Sequence, residues 1–178
     1  MRAIMLFHSD QTNNTRKTQA DLNAAQRGDM RACNRLIAAY RDQIYTLSYR
    51  ALGDEPAAIE ATQAAVQQAA RNIAAFRAGP FHLWLLQWVV WSCQERIARL
   101  GRLAGPDAAR GEPERTPATV ATQTIQGKLC RLPADLRLAL ILVDVAGLDY
   151  VATAAVLGAS REQVSRSVAE ARARLIAS

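Results

Sequence analysis

The chain has 178 residues, half of them hydrophobic but only 6% aromatic, and its 22 Lys and Arg against 16 Asp and Glu leave a net charge of +6. Alanine fills 35 positions, and that excess argues against a β-sandwich or barrel. Alanine loses no side-chain entropy in a helix and packs poorly on a pleated surface. The expected class is therefore all-α, with enough residues for two small domains and a basic balance suited to phosphate-bearing partners.

Cys33, Cys93 and Cys130 lie far apart, and the two histidines are His8 and His82. This excludes a disulfide framework and gives no metal-ligand spacing, so reduced thiols in a cytoplasmic protein are expected, with no metal and no cofactor. The opening MRAIMLF is too short an apolar run for a secretory signal, and no stretch has the roughly 18 apolar residues of a membrane span.

Residues 1–17 read as a mobile N-terminal arm. A short helix is expected over 18–27, ending at Gly28, after which Asp29 can cap a longer helix over about 30–52. Its apolar positions Cys33, Leu36, Ile37, Tyr40, Ile44, Leu47 and Ala51 follow helical spacing. Gly53 stops it, and Asp54-Glu55-Pro56 opens an alanine-rich third helix over about 56–76. A fourth helix, apolar all round, follows Pro80 over 81–100. The segment 101–118, GRLAGPDAARGEPERTPA, has the proline and glycine density of a flexible linker.

The second unit, 119–178, starts with a helix near 119–130 and a stop at Leu132-Pro133. A buried helix follows up to the break at Gly147, then DYVATAAVLG and SREQVSRSVAEARARLIAS form a helix-turn-helix. Ser160 with Gln163 makes a capping box for the last helix. Val151, Ala154, Ala155 and Leu157 are expected to face the core, and Val164, Val168, Ala171 and Leu175 to meet them. That leaves Arg161, Glu162, Gln163, Ser165, Arg166 and Glu170 exposed. The start of such a second helix enters the major groove, where Arg and Gln pair with base edges, while Arg172 and Arg174 suit phosphates. A plain helical hairpin would show the same pattern.

In the fourth helix Trp84, Trp88 and Trp91 make a stripe that suits either core packing or stacking on unpaired bases. Arg96, Arg99 and Arg102 repeat beyond it, placed to grip a DNA backbone or to complement the helix dipole. No catalytic set is present: no nucleophile stands at motif spacing from His82, and there is no phosphate loop or nucleophile elbow.

Together the two units resemble bacterial RNA polymerase sigma factors of the extracytoplasmic-function (ECF) type. AQRGDMRACNRLIAAYRDQIYTLSYRALGD, EATQ and FRAGPFHLWL resemble the family's region 2. LPADLRLALILVDVAGLDYVATAAVLGASREQVSRSVAEARARL resembles region 4, and the likeness covers residues 20–176. The resemblance implies a two-domain promoter-specificity factor that binds core RNA polymerase and promoter DNA, with an anti-sigma factor as a further implied partner. It places Glu60, Thr62 and Gln63 against core polymerase. Phe76, Arg77 and Phe81, with Arg96, Arg99 and Arg102, would meet the −10 element; Arg161, Glu162, Gln163, Ser165, Arg166 and Arg172 would meet the −35 element. A second reading is a sigma-like protein without initiation activity, acting as a DNA-binding regulator or protein-interaction module. The non-acidic Ala57, Ile59 and Ala64 and the unusual Trp91 motivate it.

Overall fold

The computed structural model describes residues 11–104 and 125–177, and the side chains of 18–99 and 125–177. The arm as far as residue 10, the linker from 105 and the expected helix start at 119–124 lie outside the described residues. Among those described, the secondary structure is helical throughout.

The first half holds α1 (Gln11–Gln26), α2 (Met30–Ala38), α3 (Arg41–Leu52), α4 (Glu55–Asn72) and α5 (Phe81–Ala104). The expected single helix over 30–52 is two. The chain breaks at Ala39-Tyr40, where Tyr40 takes φ −111° and ψ 1°. Neither glycine nor proline causes this. The Tyr40 ring instead packs on Phe81 at 5.8 Å between centroids, so a distant aromatic contact sets the break. The third helix also ends early: α4 stops at Asn72 and one 3-10 turn, Ile73–Ala75, follows. α1 begins at Gln11 and α5 runs on to Ala104, past the limits read from glycine and proline alone.

The local caps form as expected. The Asp29 carboxylate accepts from the N–H groups of Arg31 and Ala32, and that of Asp54 from Ala57. Each satisfies donors that a helix start leaves open. α4 presses a line of alanines, Ala58, Ala61, Ala65 and Ala69, into the core. Three of them, Ala58, Ala65 and Ala69, have no exposed surface. Side chains that small let α3 and α5 approach closely, so α4 is held by proximity rather than by bulk.

The second half holds α6 (Ile125–Arg131), α7 (Ala134–Asp144), α8 (Tyr150–Leu157) and α9 (Arg161–Ala177). Val164, Val168 and Ala171 of α9 are buried with Ala154 and the apolar face of α7. Val151 and Ala155 are exposed, against expectation. α8 reads YVATAAVL, and without a charged residue to mark its wet side the sequence leaves its rotation undetermined.

The fully buried Thr153 of α8 has a hydroxyl without a hydrogen-bond partner. Thr153→Val keeps the shape and removes the unmet group, so it is expected to be neutral or to stabilise by up to about 1 kcal/mol. A urea melt checks this, and a loss above that size would show that the hydroxyl is engaged.

The larger core does not stop at the first half. It runs from Leu36, Ile44 and Leu85 through to Leu138, Ile141, Leu142, Ala146, Leu148 and Val156. Cys33 and Cys93 are buried in it, and burial pushes the Cys93 thiol up to about 11. No helix of the described residues is long and apolar enough to cross a membrane.

Candidate nucleic-acid and polymerase interfaces

The best-formed local device is the start of α9. Ser160 N–H donates to Gln163 Oε1 at 2.7 Å, and Gln163 N–H donates to Ser160 Oγ at 3.1 Å. Both orphan donors of the helix start are thereby met. Gly158 closes α8 in the left-handed region at φ 64°, which sets the turn between the two helices. Arg161, Glu162, Gln163, Ser165 and Arg166 all emerge exposed on one end of α9. The Glu162 carboxyl is held below its usual range, first by its own backbone N–H and the Ser160 hydroxyl, then by Arg161 and Arg166.

Arg172 behaves differently from its expected role on phosphates. Its fork closes on Asp144 of α7, with Nη2 at 2.5 Å from Oδ1 and Nε at 3.3 Å from Oδ2. The Asp144 carboxylate raises its pKa accordingly. This exposed pair links α9 to α7 beside the buried contacts of Val164, Val168 and Ala171. Arg174 pairs with Glu170 one turn back on the same helix. Arg161 and Arg166 thus remain as the exposed cations of this face without a short ion pair among the described residues.

In the first half, the loop before α5 is anchored by Gln26, whose Nε2 donates to Phe76 O at 2.6 Å. Phe76 and Phe81 point inward, forming an aromatic box with Trp84: Phe76–Phe81 at 5.8 Å, Phe76–Trp84 at 5.5 Å and Phe81–Trp84 at 5.6 Å. These rings shape the loop rather than offer a face to solvent. Arg77, Ala78, Gly79 and Pro80 form its exposed rim. The tryptophan stripe splits as well: Trp84 and Trp88 are half-buried, and Trp91 is 41% exposed. The helix is therefore not apolar-packed on every side.

Arg96 and Glu60 form an ion pair between α5 and α4. A polar groove of about 230 Å³ opens beside them, lined by Glu60, Ser92, Glu95, Arg96 and the exposed Arg99. One residue expected at polymerase and one expected at the −10 element thus hold each other. Thr62 turns its hydroxyl inward, whereas Gln63 is exposed along with Ile59, Glu60 and Gln67. Ala57, part of the case for a repurposed apolar surface, is buried at 5%. The side chain of Arg102 lies outside the described residues. Within them, no group of three or more His, Cys, Asp or Glu could hold a metal ion.

Two residues that no motif marks stand out. Arg137 is buried and Gln126 half-buried, and both reach across to the C-terminal end of α3. Asp144, the partner of Arg172, is a third.

No family model matches the chain. The chain is 31% identical over 165 residues to the ECF RNA polymerase sigma factor SigM of Mycobacterium tuberculosis, covering 89% of this chain and 83% of that protein. Its fold matches CnrH, solved in complex with the cytosolic domain of CnrY, with a TM-score of 0.69 at 21% identity over 90% of this chain and 96% of that one. It also matches the sigma factor RpoE of Bartonella quintana, solved with the anti-sigma factor NepR, with a TM-score of 0.64 at 19% identity over 80% and 92%. A helix-turn-helix with an exposed, capped recognition end, a partner half of five α-helices and a relative this similar over nearly the whole chain agree: the protein belongs to the ECF family of RNA polymerase sigma factors, which direct transcription initiation.

Proposed function

We propose that this sigma factor binds core RNA polymerase in the cytoplasm through the exposed side of α4, with Glu60 and Gln63 as principal contacts and Thr62 behind them. Its two working halves, read from the sequence as 18–100 and 119–178, carry α1–α5 and α6–α9, and α1 and α5 run past the first half's sequence limits at both ends. The second half reads duplex DNA at the −35 element. There the N-terminal end of α9 enters the major groove, Arg161 and Arg166 meet base edges or phosphates, and Glu162, Gln163 and Ser165 border them. Arg172 supports that pose through Asp144. At the −10 element the exposed contacts are Arg77 and the loop rim, with Arg99 and Arg102 along α5; Phe76 and Phe81 hold the loop's shape and Arg96 ties it to α4. Its work is binding rather than catalysis. An anti-sigma factor is a further partner, suggested by the complexes in which both matched folds were solved.

The observation that carries this reading is the α9 end, where a closed capping box leaves Arg161 and Arg166 exposed within the first two turns. An Arg166→Ala chain should bind its upstream promoter element about 1–3 kcal/mol more weakly and discriminate less at the base it meets. Fluorescence anisotropy on promoter duplexes selected with the wild type measures both. Unchanged affinity with unchanged preference would remove Arg166 from the interface.

A further inference from the structure

Helix α9 carries its charges in a repeating order. Glu162, Arg166, Glu170 and Arg174 stand four residues apart, so each lies one turn, about 6 Å, beyond the last on one winding stripe. At about 100° per residue, Glu162 and Arg166 fall opposite the buried Val164, Val168 and Ala171. They therefore lead α9 into whatever it docks against. The exposed Ala169 and Ala173 continue that outer line and are too small to hold a surface away. Glu170 already accepts from Arg174 Nη2 at 2.6 Å, and Arg172 is held by Asp144. Four arginines on α9 thus face two glutamates on the same helix and one aspartate from α7, which leaves a net charge of +1. A helix that gripped phosphates for affinity would keep a larger surplus.

The backbone donors at the helix start are taken as well. Gln163 Oε1 accepts from Ser160 N–H, Ser160 Oγ accepts from Gln163 N–H, and Ser160 O accepts from Val164 N–H. Glu162 N–H is met by its own carboxylate, which also accepts from the Ser160 hydroxyl. A helix N-terminus with open N–H groups is a ready phosphate site. This one is closed, and a carboxylate stands over it.

We propose that Glu162 is the specificity-determining residue of α9 and that it acts by exclusion. With Glu170 one turn beyond Arg166, it turns DNA phosphates away, so the second half distinguishes its own element mainly by binding all other DNA poorly. The proposal deepens the −35 reading above and rests on it.

Discrimination here is a difference between two docked states. On unselected DNA α9 meets mainly phosphates, and an ionised carboxylate at its leading edge repels them and partly neutralises Arg166. In the matching groove Arg166 meets a base, and the carboxylate faces base edges. There cytosine N4 and adenine N6 present amino groups from which a carboxylate accepts. The repulsion acts in the first state and is offset in the second, and specificity is the gap between them. A glutamate in the first turn also complements the helix dipole. That role alone would bear on folding and would leave the ratio of the two DNA affinities untouched.

The test uses the full chain as wild type, Glu162→Gln, Glu170→Gln and Asp42→Asn, the last an equal change of charge on the exposed start of α3. Fluorescence anisotropy follows each on the duplex selected with the wild type and on a scrambled duplex of the same composition, across a salt series. Glu162→Gln keeps an oxygen for the amino group but loses the charge. It should bind the scrambled duplex about 3–10-fold more tightly and the selected one within about twofold of wild type, so its preference falls. Its salt dependence on scrambled DNA should steepen by about one released counterion, because Arg166 becomes free to meet a phosphate. Glu170→Gln should move the same way by less, since Arg174 already holds Glu170, and Asp42→Asn should leave the preference unchanged. Equal tightening on both duplexes overturns the proposal, as does an equal loss of preference in Asp42→Asn. Weaker binding of Glu162→Gln to both duplexes, with a lower melting temperature, reduces Glu162 to a helix cap. A wild type that selects no duplex removes the −35 reading and the exclusion with it. A wild type that discriminates beside a Glu162→Gln that discriminates equally well removes the exclusion alone.

Discussion

Gly53→Ala should cost about 3 kcal/mol, and a second substitution 77 residues away should return a large part of it. Gly53 ends α3 at φ 72°, where an L side chain costs roughly 1–2 kcal/mol. A Cβ built there would stand 2.2 Å from Cys130 Sγ, so the thiol must leave its position as well. Displacing a packed side chain adds about 1–2 kcal/mol. With the sulfur gone, the next atoms, Gln126 Nε2 at 3.5 Å and Cys130 Cβ at 3.7 Å, make ordinary contact. Cys130→Ala therefore relieves the collision but leaves the backbone strain. Urea melts of the two single variants and the double variant form the cycle, and a coupling of about 1–2 kcal/mol is expected. Strict additivity would mean that the two halves do not meet at Gly53.

Ala65→Leu should be about as damaging, for the opposite reason. Ala65 has no exposed surface and sits in the middle of the alanine line that α4 presses into the core. Three further carbons have no space there, and overpacking of this kind costs about 3 kcal/mol, paid by moving α4 outward. That movement would also separate Glu60 from Arg96 and shift Gln63, so polymerase affinity should fall together with the melting temperature. Gln67→Leu, on the exposed side of the same helix, is the control and should stay within about 0.5 kcal/mol of wild type. Equal tolerance at both positions would show that α4 is not closely packed.

What was legible in the sequence was local chemistry. Asp29, Asp54 and the Ser160–Gln163 pair announce helix starts because a cap needs only residues three or four apart. The all-α class followed from alanine, and the two-unit pattern from motif order. What stayed hidden depends on distance. The break at Tyr40 comes from Phe81, and the engagement of Arg172 comes from Asp144, 28 residues away. Arg137 lies within the run LRLALIL and accepts its role from backbone carbonyls, which carry no sequence signature. The rotation of α8 was unreadable because its residues are nearly all apolar. For the candidate site, the positions of Arg161 and Arg166 on the exposed end of α9 could be read from the capping box and helical spacing. The inward turn of Phe76, Phe81 and Thr62 could not.

The capping box has a consequence for which bases can be read. Gln163 Oε1 is occupied by the Ser160 N–H, so the side-chain amide has a fixed orientation, and only its NH₂ group is turned away from the helix. On the proposed docking, Gln163 then turns its NH₂ donors to the groove, while Oε1, with one lone pair still open, faces the helix. The paired donor–acceptor contact by which glutamine selects adenine requires the capping bond to open, and the closed cap favours bases that present acceptors alone at that edge, guanine through O6 and N7 or thymine through O4. A residue that closes the helix end would in this way also set the polarity of the code that the helix can read.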